Sequence, residues 1–308
     1  MGFTLAKHAT RAVVAALTLG ALLVPSVLWG QSDAGPWGGG SGRNKPEGRY
    51  ADVNGVHLYY EIHGTGKPLV LLHGGLGAIE MYGPNLSRLA EGRQVIAVDL
   101  YGHGRTALVG DRPLDPALMA DDIAALITHL KLGKADVMGY SLGAGVAVLV
   151  ASRYPDVVDR VVAASAVLRR DAFYPDILAQ QGQVTAEAAE AMKQTPMYQL
   201  YHAVAPRPED WPVLLDRIGE FMATDYDYTA EVAKVRAPTL VVADDVDIAP
   251  PSHAVEFFGL LGGGKQDGGW DGSGQIASQL AIVPGVTHYT MFSDPRLAEL
   301  AIRFLDQR

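Results

Sequence analysis

The sequence predicts an α/β protein: a mostly parallel central sheet flanked by helices, interrupted by a helical insertion. Three observations lead there. Short apolar runs bounded by turn residues recur at 69–72, 95–100 and 135–140, a pattern that suits strands buried on both faces. Helical stretches at 117–132 and 142–153 separate such runs, so the connections read as right-handed βαβ crossovers rather than hairpins. The alternation stops over 169–235 and resumes at 239–243 and 279–283, which is how a helical cap inserted into one sheet would look.

Taken in order, the first elements concern targeting. Lys7, His8 and Arg11 precede an apolar run over 12–24 broken by Pro25, a basic n-region followed by an h-region. Residues 1–34 are therefore expected to be a signal peptide for export to the periplasm or the medium, ending near Ser32-Asp33-Ala34 or at Gly30. Because the apolar stretch runs on through Trp29, an uncleaved membrane anchor is the alternative. Residues 35–48 are Gly-rich and polar and read as a flexible linker, leaving 49–308 as the folded domain. Within it, 56–62 and 69–72 read as strands, and 95–100 is a strand ending in the turn Tyr101-Gly102-His103-Gly104. Residues 117–132 carry Leu118, Ile123, Leu126, Ile127 and Leu130 on one helical face. A strand at 135–140, a small-residue helix at 142–153 and a strand at 160–167 follow. Residues 169–235 are amphipathic pieces broken by Pro175, Pro196, Pro206, Pro208 and Pro212. The last elements are the two strands already named, a Gly-rich surface loop at 262–274, and a helix at 295–307.

Composition removes several functions. The chain has 308 residues, 48% of them hydrophobic, enough for one large core. A net charge of −9 lacks the basic footprint of a nucleic-acid partner and disfavours adhesion to anionic lipid. The absence of cysteine excludes disulfides, thiolate catalysis and Cys-based metal sites. The glycines at 74–77 and 102–104 lack dinucleotide-binding spacing, no Walker lysine occurs, and no H-E-x-x-H cluster is present. No cofactor and no metal are expected.

The chemistry gathers at four short segments. Gly139-Tyr140-Ser141-Leu142-Gly143 is a G-x-S-x-G pentapeptide between a strand and a helix, the setting of a nucleophile elbow, with Ser141 as nucleophile. A serine hydroxyl needs a base. Of nine histidines, His288 follows an apolar strand and Pro284-Gly285, and so is expected on a loop at a strand's C-terminal end, where α/β sheets gather reactive groups. The others flank early strands or sit on amphipathic helices, as surface or packing residues do. An acid must orient the base, and Asp244-Asp245-Val246-Asp247 offers three carboxylates; Asp247 is the first choice and Asp245 the second. His73-Gly74-Gly75-Leu76-Gly77 follows the strand 69–72 with small residues that let backbone N–H groups approach a substrate oxygen. The expected oxyanion donors are the N–H groups of Gly75 and Leu142, with Leu76 as an alternative to Gly75.

Together, 69–77, Asp99 with Gly102 to Arg105, the elbow, the loop 239–250 and Pro284 to His288 resemble the α/β-hydrolase fold family, from about Tyr50 to the C-terminus. Within it they are similar to the esterase, lactonase and cofactor-free haloperoxidase branch. The resemblance implies a Ser-His-Asp triad acting on a small ester or lactone. It implies a cap made by 169–235, whose Tyr198, Tyr201, Trp211, Phe221, Tyr226 and Tyr228 would line an acyl pocket. The family's acid lies in a G-x-x-D-type turn; here Asp244 stands at the glycine position and Asp247 at the acid. Perhydrolysis, amide cleavage or C–C hydrolysis on the same side chains are alternative activities. A non-catalytic binding protein on this fold is the alternative of a different class.

Overall fold

The computed structural model describes residues 47–307. The expected targeting segment over 1–34 and the expected linker up to residue 46 lie outside the described residues. Among those described, no helix is long and apolar enough to cross a membrane.

Eight strands form one sheet: β1 (Arg49–Val53), β2 (Val56–His63), β3 (Lys67–Leu72), β4 (Arg93–Val98), β5 (Ala135–Tyr140), β6 (Val158–Ala164), β7 (Thr239–Val246) and β8 (Gln279–Thr287). Their spatial order is β1-β2-β4-β3-β5-β6-β7-β8. The β1–β2 and β2–β4 pairs are antiparallel, and every later pair is parallel. The central strands are buried on both faces, and side chains alternate between two cores. Val70, Leu72, Ile96, Val98, Val137 and Val161 point into one; Leu69, Leu71, Val95, Ala97, Met138 and Val162 point into the other.

The helices are α1 (Pro84–Ala90), α2 (Pro116–His129), α3 (Leu142–Arg153), α4 (Pro175–Gln181), α5 (Ala189–Met192), α6 (Pro196–Val204), α7 (Trp211–Ala223), α8 (Thr229–Val232), α9 (Pro251–Leu260), α10 (His288–Met291) and α11 (Pro295–Leu305). α2, α3 and α9 close one face of the sheet and α1 and α11 the other. All regular elements between β6 and β7 are helical, as expected for 169–235, and proline starts α4 and α6 and sits in the first turn of α7. The expected elements recur within a few residues of their anticipated bounds. β1, α1 and α10 are additions: β1 is a short edge strand of alternating exposure, too brief to stand out by periodicity.

Candidate active site

Strand ends set the site. β3, β5, β6, β7 and β8 run parallel and finish at one edge of the sheet, which brings the segments after them together. The register does the rest. Val246 of β7 pairs with Thr287 of β8 across a local irregularity, so the next residues, Asp247 and His288, become neighbours. The Ser141 N–H is held by the carbonyl of Ala164 at 2.9 Å.

Ser141 sits in a sharp turn at φ 53° and ψ −117°, a conformation that strains a residue bearing a Cβ. Its surroundings require glycine. A Cβ at Gly139 would collide with the carbonyl of Gly143, and one at Gly143 with that of Leu72. The elbow thereby brings α3 directly against β3 and lifts the Ser141 hydroxyl toward the sheet edge.

The Ser141 Oγ lies 3.0 Å from His288 Nε2, and His288 Nδ1 lies 2.7 Å from Asp247 Oδ1. His288 and its partner are nearly enclosed, at 9% and 8% side-chain exposure. Burial works to raise the Asp247 pKa, but the hydrogen bond and charge of His288 prevail and hold it below the usual carboxylate range. The Ile248 N–H also donates to Asp247 Oδ1 at 2.7 Å. Asp245, the second choice for the acid, is exposed and accepts the Gly285 N–H at 2.8 Å instead. His288 is not on a loop as expected: β8 continues through Pro284 and Gly285, and His288 is the first residue of α10, capped by Thr287 and Thr290. The Tyr140 hydroxyl donates to the His288 carbonyl, a brace that the variable second position of the G-x-S-x-G motif did not announce.

Gly75, Leu76 and Leu142 border the cavity above Ser141. Leu142 opens α3, so its N–H has no intrahelical partner. The loop carrying Gly75 is anchored from below. His73 is 1% exposed and accepts the Leu100 N–H at 3.0 Å while donating to the Gly74 carbonyl at 2.7 Å. Burial, then the neighbouring His103, push its pKa down to about 3, keeping it neutral. Asp99, fully buried, accepts the N–H groups of Ile79 (2.9 Å) and Arg105 (2.8 Å) and pairs with the Arg105 guanidinium. Burial pushes its pKa up to about 6 against the pull of Arg105.

The cavity has a volume of about 300 Å³. Phe221, Tyr226 and Tyr228 line it as expected, together with Phe173, Ile177, Met197, Met222 and, beside His288, Tyr289 and Phe292. Tyr198, Tyr201 and Trp211 do not. Trp211 is 1% exposed and packs against both tyrosines, forming the inner core of the insertion. Aromatic residues spaced along a helix do not reveal which side faces a cavity, so sequence could not separate the two groups. Asp244, Asp247 and His288 bring ligand-type atoms within 4.8 Å of one another, but the 2.7 Å contact between Asp247 and His288 is that of a hydrogen bond sharing a proton.

The profile of the alpha/beta hydrolase fold matches residues 67–245. A proline iminopeptidase of Lactobacillus crispatus is 27% identical over 252 residues, covering 68% of this chain and 86% of the relative. A pimeloyl acyl-carrier-protein methyl ester esterase of Neisseria meningitidis is 38% identical over 144 residues, covering 44% of this chain and 54% of the relative. Among solved structures, a thermophilic esterase of Thermogutta terrifontis superposes with a TM-score of 0.65 at 23% identity, over 85% of this chain and 98% of its own. With the parallel sheet, the strained serine turn and the profile in agreement, the chain belongs to the alpha/beta hydrolase fold family.

Proposed function

We propose that the protein is a serine hydrolase that cleaves a carboxylic ester or lactone through an acyl-enzyme. The observation that carries this reading is the continuous relay from Ser141 through His288 to Asp247, opening on an apolar cavity. Ser141 Oγ attacks the substrate carbonyl while His288 Nε2 takes its proton. Asp247, ionised beside Nδ1, fixes the tautomer and steadies the imidazolium. The N–H groups of Leu142 and Gly75 receive the oxyanion, at a helix N-terminus that favours negative charge. His288 then passes the proton to the leaving alcohol, and water, activated by the same imidazole, releases the acid. The helices between β6 and β7 serve as the cap that excludes water from this sequence.

Hydrolysis of p-nitrophenyl esters from acetate to decanoate tests the reading. Ser141→Ala is expected to lower kcat by about 10⁴–10⁶-fold while leaving the melting temperature close to that of the parent. Equal rates in the two proteins would remove Ser141 from the mechanism.

A further inference from the structure

Among the described residues, the side chains lining the cavity include no Asp, Glu, Lys or Arg. Apart from the relay, its polar groups are hydroxyls and the amides of Gln180 and Gln181. The charges just behind the wall do not supply a cationic clamp. Arg170 lies near Tyr226, but its Nε donates to the Met222 carbonyl at 2.9 Å, and the charges acting on Tyr228 and Tyr289 are the carboxylates of Asp115, Asp176 and Asp247. An anionic group drawn into this cavity would lose its hydration without gaining a partner. We infer that the site takes an uncharged, apolar acyl group and rejects acyl groups bearing a carboxylate. This rests on the serine hydrolase reading above. The volume is at the small end of ligand pockets, which span about 300–1,000 Å³.

Three esters of equal reactivity separate the possibilities: p-nitrophenyl hexanoate, mono-p-nitrophenyl adipate, and its methyl ester, in which the carboxylate is masked. The hexanoate and the masked adipate are expected to turn over with similar kcat/KM, and the free adipate at least 100-fold more slowly. Comparable turnover of the free adipate overturns the inference and leaves the hydrolase reading intact. No turnover of any of the three, in protein that also fails to react with a fluorophosphonate, overturns both.

A second, independent observation concerns Asp244. It is fully buried at the position where the family resemblance calls for glycine, and the Ser165 hydroxyl donates to its Oδ2 at 3.0 Å. Ser165 itself is held at φ 49° and is 2% exposed. Among the described residues the other oxygen, Oδ1, is buried with no donor, and a carboxylate oxygen of Asp244 lies within 4.8 Å of one of Asp247. Two carboxyl groups packed this closely and away from water can join in a hydrogen bond only when one carries a proton. The geometry points to Asp244 as a positioning residue, a neutral acid that donates its proton to Asp247 and fixes the carboxylate against His288. Burial first, then the Asp247 charge, push the Asp244 pKa up to about 8, so the acid form prevails at neutral pH. The groups around the pair are Tyr140 of β5, His288 and Tyr289 of α10 and His253 of α9, with Asp245 turned to Gly285. Among the described residues, no Lys or Arg lines the small void that Asp244 and Asp247 share.

Two variants test this, again on the serine hydrolase reading, whose own failure would show as activity in Ser141→Ala. Asp244→Asn keeps a donor and is expected to hold kcat within about threefold. Asp244→Ala removes it and is expected to lower kcat about tenfold or more with KM unchanged. Full activity in Asp244→Ala, or equal damage in both variants, overturns the assignment. The infrared carbonyl stretch of a protonated carboxyl at pH 7, lost in Asp244→Asn, reads the same proton without any kinetics, and its absence from the parent also overturns it.

Discussion

At the scale of single residues, the choice among three carboxylates at the end of β7 shows what decides a role. Asp245 and Asp247 differ by two positions, yet one is exposed and holds a backbone N–H while the other meets His288 at 2.7 Å. Asp247→Asn is therefore expected to lower kcat by about 10⁴-fold, since an amide favours the wrong imidazole tautomer. Asp245→Asn is expected to stay within a few-fold, and steady-state kinetics on one ester distinguishes the two. Ser141 and His288, which the structure brings within 3.0 Å, could be singled out from sequence because each is tied to a local pattern, the pentapeptide and the strand-end histidine. Asp247 was the first choice ahead of Asp245, but local sequence alone does not separate them, because the partner of each depends on the pairing of Val246 with Thr287, a contact between segments far apart in the chain. Asp244 and Tyr140 were not legible as parts of the site, since nothing local marks a buried acid or a bracing tyrosine.

At the scale of elements, strand position was easier to read than strand partnership. The apolar runs at 69–72, 95–100 and 135–140 announced β3, β4 and β5, whose alternate side chains do enter two cores. What they hid is the charge at their starting ends. Asp136 of β5 has no exposed side-chain area and joins Lys67 of β3 at 3.0 Å and Arg93 of β4 at 2.5 Å. Arg93 also reaches Asp306, just after α11, at 2.6 Å. Removing one partner from a buried ion pair leaves its opposite charge desolvated. Asp136→Ala is expected to destabilise the fold by about 3 kcal/mol, toward the lower end of the range for such losses because Asp306 remains; denaturant titration measures it. The insertion was legible as helical from its prolines and amphipathic spacing, but not as a surface. Trp211 and Tyr201 went to its core and Phe221, Tyr226 and Tyr228 to the cavity, a division made by how the helices dock.

At the scale of the whole molecule, the acid balance read from composition hides one group whose proton matters to stability. The pKa of Asp244 is raised in the folded protein, to about 8 from 3.8. Between those values the unfolded chain has released a proton that the folded chain keeps, so this group weakens the fold as pH rises and its effect levels off above about 8. Asp244→Asn cannot ionise. Its melting temperature relative to the parent is expected to climb from pH 5 to pH 8 and then remain level, and a constant offset across that span would contradict the sign. The central claim, that Ser141 is the nucleophile, is tested most directly by intact and peptide mass spectrometry after treatment with a fluorophosphonate. One adduct per chain is expected, on Ser141, and none in Ser141→Ala. An adduct on another residue, or an active esterase that stays unlabelled at Ser141, would contradict it.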